Sequence, residues 1–493
     1  MGGKATTLSE KFNRRGLWWL PSYPNRKIPG QVSFDPDGEL QLELDGSLRE
    51  KMPIGSGDHF YAPLVFGATT DGKLCTLLDV SENFRQTHSP GMTTSKSSFS
   101  QLIIGQSHID PLTTKYESAL LEFSDFCGWM HRDPFTYEAS RTEVYKQTVS
   151  HTMPSEVKIL VSALTAEVSF TPSMNTNMEY QQRALKHFDS VQIKPIEPQD
   201  GEWYKRVVYK MRVLLSLLVG RPVVATAFKL CTGMQQISEH NEGCYPLYVD
   251  LCVKQAGKAK GKDLLPPEIP FTYPRIAASM PAILNTWFSK TEQLSTLYSL
   301  FFGTTINRSI PREFQFLALI QALESYHRES GGDKYLSKEG YEEIRTALTN
   351  AIPKSTPADL RDALKSRIKY GNEYSLRKRL ELTLNKVPEA LRNIFVQGNE
   401  QFIFQVVATR NYLTHRDESL KDNVLDDKGI FDAAVSLQLL IQYILLTELG
   451  IDEKTVARVM QEHHAYKNRP QIILYNQRAK SNSHSKQTST PNP

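Results

Sequence analysis

Apolar and polar positions change rhythm part-way along this chain. Up to about Ala256 they alternate in short runs closed by turn residues, which predicts strands. Gln31–Phe34, a turn at Asp35-Pro36-Asp37-Gly38, and Leu40, Leu42 and Leu44 between polar residues predict a hairpin. Leu64–Gly67, a turn at Asp71-Gly72 and Leu74–Leu78 predict another, and Val157–Val161 and Ala166–Phe170 two further strands. Trp203–Val219 is the first strong helical stretch. Gln255–Pro270 is basic and then Pro-rich, as a linker or exposed loop would be. Beyond it the period is helical: Ile283–Phe302, Glu313–Arg328, then about 357–369, 374–386, 389–397, 399–414, 430–449 and 452–464. Thr356-Pro357-Ala358-Asp359 has the chemistry of a helix start, with Thr as N-cap, Pro in the first turn and an acid two residues later. The expected fold class is therefore α+β: a β-rich N-terminal domain over 1–275, an all-α helical bundle over 276–465, and a basic tail over 466–493. The polar residues after Lys480 offer no core and are expected to be disordered. No internal repeat is visible.

Composition adds bounds. At 493 residues there is room for two to four domains, and an apolar share of 40% is ordinary for a globular protein. The net charge of +4 neither demands nor excludes a nucleic-acid partner. Its distribution says more: from Tyr466 to Pro493 there are five basic residues (Lys467, Arg469, Arg478, Lys480, Lys486) and no acid. Five scattered cysteines with no CxxC pair point to a reducing compartment, and the cytoplasm is the expected location. The start, MGGKATTLSEKF, lacks the apolar core of a secretory signal. Met1-Gly2 through Thr6 fits the loose myristoylation pattern, which is short and unsupported elsewhere. The most apolar stretch, Ile430–Leu449, contains Asp432, Gln438, Gln442 and Glu448, so a buried helix is expected and no membrane.

The candidate chemistry lies in Glu400–Arg416, EQFIFQVVATRNYLTHR. Phe402, Ile403, Val406 and Val407 form an apolar stripe on a helix that finishes in Arg410-Asn411-Tyr412-Leu413-Thr414-His415. Arg presents a permanently charged fork that fits a phosphate bidentately. His titrates near neutrality and can exchange a proton with a 2′-hydroxyl or a leaving 5′-oxygen. Asn orients either partner. Five positions on one helix are about 140° out of phase, so one copy does not aim both at one spot, whereas two copies related by a dyad can pool two Arg and two His across a cleft. The pattern alone is loose: Arg458 with His463 or His464, and Arg478 with His484, also fit it. Only Arg410 has Asn beside it and a long apolar helix following. The plainer reading is a solvated helix end with a basic residue near the C-terminal dipole.

Other residues also admit a functional and a plainer reading. Arg377, Lys378 and Arg379 could grip an RNA backbone, or form a charged outer helix face. Glu324 could be an acid partner of the site, though a solvated helix position is commoner. Cys231, His240, Cys244 and Cys252 have the residue types of a Cys₃His zinc site, but wide spacings without a two-residue knuckle, and buried unliganded cysteines are commoner. No phosphate-binding Gly loop and no Ser nucleophile elbow is present.

Arg410-Asn411 followed by His415 resembles the motif of HEPN ribonucleases, and most closely that of the ApeA-like branch, associated with bacterial anti-phage defence. Phe316–Arg328 resembles the opening helix of that branch, and Ser375-Leu376-Arg377-Lys378-Arg379-Leu380 its "(F/L)-R-x-R-L" segment. Gly16–Pro21, Pro29–Phe34 and Phe66–Lys73 resemble its N-terminal domain. Between about 130 and 280 the resemblance is patchy. It implies a HEPN-like bundle in which Arg410 binds the scissile phosphate, Asn411 is the polar motif residue and His415 transfers the proton. The implied reaction is attack by the 2′-hydroxyl, leaving a 2′,3′-cyclic phosphate and a 5′-hydroxyl, with no metal and no cofactor. It further implies a homodimer or higher homo-oligomer, a structured host RNA substrate with tRNA as first candidate, and a phage-derived trigger, expected to be a protein, sensed by the β-rich half. The alternative is a non-catalytic HEPN-type module that binds RNA or protein.

Overall fold

The computed structural model describes residues 7–36, 39–49, 60–87, 91–111, 113–141, 145–238, 241–255, 261–290, 294–306, 310–331 and 333–467. Gly2, the turn at Asp37-Gly38, His240, Arg478, His484 and the expected tail beyond residue 467 lie outside that set. The chain divides into two units, Met1–Phe288 and Ser289–Pro493. The periodicity places the change at 275/276. Residues 276–288 go instead with the N-terminal unit because hydrogen bonds hold them there. Trp287 Nε1 donates to the Lys210 carbonyl (3.1 Å), and Asn285 accepts from the Ser162 amide (2.8 Å).

In the N-terminal unit six antiparallel strands close on themselves. Phe12–Trp19 pairs with Ile28–Phe34 on one side and Tyr61–Thr69 on the other. Ile28–Phe34 pairs with Gln41–Leu44, which pairs with Thr93–Ser98. The ring is completed by Leu74–Thr87, which pairs with Tyr61–Thr69 and, from Ser81 onward, with Thr93–Ser98. Closure removes the free edges that an open sheet would expose. The interior is filled by alternate positions, among them Trp18, Val32, Leu42, Val65, Leu77 and Val80, all fully buried. Gly67 is required there: a Cβ at that position would overlap the Trp18 ring.

The first half of Leu74–Thr87 also pairs with Gln101–Gly105, and from there the sheet runs on as an open antiparallel array. Its order is Gln101–Gly105, Asn241–Val253, Ala225–Ser238, Ser118–Phe123, Gln182–Pro195, Ala166–Glu179 and Val157–Val161. The helix Gly201–Val219 is started by Asp200, whose carboxylate accepts from the Trp203 amide (2.7 Å), and ended by Gly220 at φ 82°. Trp129 is fully buried among Phe126, Phe170 and Tyr273, and its indole N–H donates to the Phe271 carbonyl (2.8 Å).

This register separates the thiols of the postulated zinc site. Cys231 stands opposite Tyr248, Cys244 opposite Gln236 and Cys252 opposite Leu102. Cys244 and Cys252 are eight residues apart on one strand, about 26 Å at strand rise. Among the described residues no group of three His, Cys, Asp or Glu side chains converges on a metal-sized point. Three sulfurs spread in this way cannot ligate one ion, whatever His240 does.

In the helical unit Arg312–Glu329 is central, packing on Ser295–Ile306, Leu376–Asn385 and Asp427–Glu448. The predicted stretch 283–302 is two helices, Met280–Lys290 and Ser295–Ile306. An unpredicted helix, Lys338–Asn350, packs on Ala358–Lys369, and neither buries a residue fully. In Lys338–Asn350, Tyr341, Ile344 and Leu348 do fall at helical spacing, so the period was there to read. Among the described residues one helix, Asp427–Glu448, is long and apolar enough to cross a membrane. As 72% of its apolar window is buried, it is the core helix that its interrupting polar residues suggest.

At the end of that core helix, Glu448 accepts hydrogen bonds from Lys290 (2.9 Å) and the Tyr326 hydroxyl (2.7 Å). Burial pushes its carboxyl up, but those bonds and the charges of Lys290 and Lys386 outweigh it, and the net direction is down. A carboxyl lowered in the folded state adds stability above its unfolded value, and loses it as pH falls through the lowered one. Denaturation of wild type and Glu448→Gln should therefore differ at about pH 7 and converge at about pH 3. An unchanged gap between them at acid pH would show that the Glu448 charge contributes nothing.

Candidate functional site

The segment Gln397-Gly398, both residues at positive φ (54° and 69°), turns the chain after the helix Glu389–Phe395. The helix Phe402–His415 follows. Its buried face is Val406, Ala408 and Thr409, and the Thr409 hydroxyl accepts from the Leu425 amide (2.9 Å), tying down the loop beyond the helix. Arg410 is half-buried, and its Nη1 donates to Asn411 Oδ1 (3.0 Å), which preorients the fork. Thr414 turns its hydroxyl back to the Arg410 carbonyl (2.8 Å). His415 is the exposed last residue of the helix.

Within one copy these side chains do not converge on a point. Arg410 and His415 diverge by about 140°, whereas Asn411 and His415, four apart, lie within about 40° of one face. The exposed ring of His415 is thus aligned with Asn411, and Arg410 points along a neighbouring face.

The surroundings add residues that the motif does not name. Arg416 takes the left-handed conformation (φ 54°) that ends the helix, and its guanidinium lies 5.5 Å from the Tyr412 ring centre. Asp417 has its carboxyl held below the usual value, first by the Ser419 hydroxyl, then by the Ser419 amide, and also by the charge of His415. On sequence alone Asp417 only follows the motif; the structure puts its charge within reach of His415. The sharp turn at Arg416 brings it there, and no helical period announces such a turn.

At the other end of the same helix lies a cleft of about 460 Å³, lined by Arg377, Arg392, Asn393, Phe402, Ile403 and Phe404 among others. Ile403 and Arg410 are seven residues apart and therefore share a face, about 10 Å along the axis. Arg377 is exposed at this cleft and pairs with Glu381 (2.8 Å).

Arg379 is not on that surface. It is 1% exposed, donates from Nε to the Tyr374 carbonyl (3.0 Å) and has Nη2 3.7 Å from Glu373. Two helical positions are about 200° apart, so Arg377 and Arg379 cannot share a face. A contiguous grip by Arg377, Lys378 and Arg379 is thereby corrected: Arg377 is exposed, Lys378 half-exposed and Arg379 internal. Glu324 is paired with Arg328 one turn along its own helix (3.1 Å), the ordinary helix-surface arrangement.

Two family models match the chain. ApeA N-terminal domain 1 matches residues 13–287, and Apea-like HEPN matches residues 317–455. The first match stops one residue short of the division at Phe288/Ser289, and the second spans the helix carrying Arg410, Asn411 and His415. No curated protein and no solved structure matches the chain. With the N-terminal model alone covering more than half of its length, the chain belongs to the ApeA-like HEPN family, whose nuclease-type HEPN domain serves anti-phage defence.

Proposed function

We propose that the helical unit is a metal-independent endoribonuclease that cleaves structured host RNA, with tRNA as first candidate, when phage infection is sensed. The observation that carries this reading is the end of Phe402–His415: a half-buried Arg410 preoriented by Asn411, and an exposed His415 one turn further on. The Arg410 fork binds the scissile phosphate and offsets the charge that builds on it. His415 moves a proton between the 2′-hydroxyl or the leaving 5′-oxygen and solvent, and Asn411 orients it. The products are a 2′,3′-cyclic phosphate and a 5′-hydroxyl. Arg410 supplies the positive charge that a metal ion would otherwise provide.

The divergence of Arg410 from His415 asks for a second copy. An isologous dimer sets each Arg410 against the partner's His415. The protein is expected to run at twice its 56.0 kDa chain mass in light scattering. Cleavage by a protein that stays monomeric at the assay concentration would exclude the shared site. The N-terminal unit is assigned to sensing and restraint, with a phage protein as trigger and the cytoplasm as location.

The deciding experiment is sequencing of RNA ends from infected cells making wild-type or His415→Ala protein. New 5′-hydroxyl ends that require His415 support the reading. Identical end profiles would mark the protein as a binding module.

A further inference from the structure

The N-terminal unit holds a cavity that the family assignment leaves without a role. It measures about 300 Å³ and lies between the helix Gly201–Val219 and the sheet. Lys205, Tyr209 and Arg212 reach it from the helix at i, i+4 and i+7, the spacing of a single face. Lys254 reaches it from just beyond the strand Asn241–Val253. The floor is apolar, built of Val208, Phe228 and Val253.

Three features make this a built site. First, Arg212 is only 4% exposed, yet it lines the cavity. Its Nη1 donates to Gln255 Oε1 (3.1 Å), and its guanidinium lies 5.8 Å from the Tyr209 ring centre. Second, Gln255 is itself fixed, accepting from the Ala225 amide (2.9 Å) and donating to the Ala225 carbonyl (2.9 Å). A cation held inside a fold by a pinned amide is costly to place and is well positioned for an anion. Third, the lining contains three cations and no carboxylate. Two acids stand beside the lining: Glu202 pairs with Lys205 from the exposed first turn of the helix, and Asp79 accepts from the lining Ser100 hydroxyl (2.6 Å) and feels the charge of Lys205.

An apolar floor, an exposed aromatic ring and converging cations match a molecule with a flat apolar body and a phosphate. The volume sits at the lower limit for small-molecule sites, which suits a monomer better than a polymer. We infer that this cavity binds a mononucleotide, its base on Tyr209 and its phosphate against Arg212, Lys205 and Lys254. The half of the chain assigned to sensing thereby acquires a small-molecule input.

The test is calorimetric titration of the purified full chain with nucleoside monophosphates, the matching nucleosides and inorganic phosphate. A nucleotide is expected to bind at least tenfold more tightly than either fragment. Arg212→Gln is expected to abolish binding, but a buried residue can also fail to fold. The exposed changes Tyr209→Ala and Lys254→Glu avoid that ambiguity, and each is expected to weaken binding roughly tenfold, as loss of a base–aromatic stack does. No heat with any nucleotide at millimolar concentration overturns the proposal. So does binding that both exposed variants leave intact, or equally tight binding of phosphate alone, which would mark an adventitious anion only. A terminal phosphate of RNA is a second source of the same chemistry. Tighter binding of a 5′-phosphorylated oligonucleotide than of the monomer would overturn the monomeric ligand.

Discussion

His415→Ala is expected to slow RNA cleavage by roughly 10²–10⁴-fold, the usual contribution of one positioned acid–base group. Folding should be untouched, because His415 is exposed at a helix terminus and supports no core. RNA binding should survive, since the phosphate contact is assigned to Arg410. Arg410→Ala should also abolish cleavage, but through lost charge stabilisation, and should weaken binding as well. Arg410→Lys should rescue poorly, because a point charge does not reproduce a bidentate fork. The assay is purified protein with RNA in excess EDTA, followed by chemical identification of the product ends. Cleavage that stops with EDTA and returns with Mg²⁺, or products with 5′-phosphates, would overturn the mechanism. Full activity in His415→Ala would overturn the site, and Arg458 with His463 would become the next pair to test. Mixing single Arg410→Ala and His415→Ala chains should restore part of the activity, because one of the two pooled sites in a mixed dimer is then intact.

Trp129→Ala should destabilise the N-terminal unit by about 3–5 kcal/mol, the range for deleting a large buried aromatic. Two losses combine. The ring leaves a void among Phe126, Phe170 and Tyr273, and the Phe271 carbonyl loses its indole donor. Trp129→Phe separates them, keeping most of the packing while orphaning the carbonyl, and should cost about 1–3 kcal/mol. Denaturant unfolding followed by a probe in the N-terminal unit measures both, with an unchanged slope expected. A loss below about 1 kcal/mol for the alanine variant would mean that the site collapses around the deletion or was never well packed.

Much of this was legible from residues alone, for a local reason. Strand alternation at Val157–Val161 and the helix expected over about 399–414 rest on neighbouring positions, and the observed elements, Val157–Val161 and Phe402–His415, begin within a few residues of them. The Arg-Asn…His motif is likewise local, and so is its 140° divergence. The helix Lys338–Asn350, absent from the elements expected above, carries Tyr341, Ile344 and Leu348 at helical spacing and was equally legible.

By itself, then, the sequence determined the β-rich and all-helical halves, the family likeness and the candidate motif. Tertiary structure alone decided which strands close the six-stranded ring, since many alternating segments could pair and the choice rests on how distant strands pack, as Trp18 does against Gly67. It decided that residues 276–288 belong with the first unit, that three cysteines stand apart on the sheet, and that Arg379 turns inward while Arg377 faces solvent. It also brought Lys254 to one cavity with Lys205 and Arg212 of a helix that precedes it in the chain. Each of these depends on contacts between distant segments, and their geometry is set by how whole elements pack.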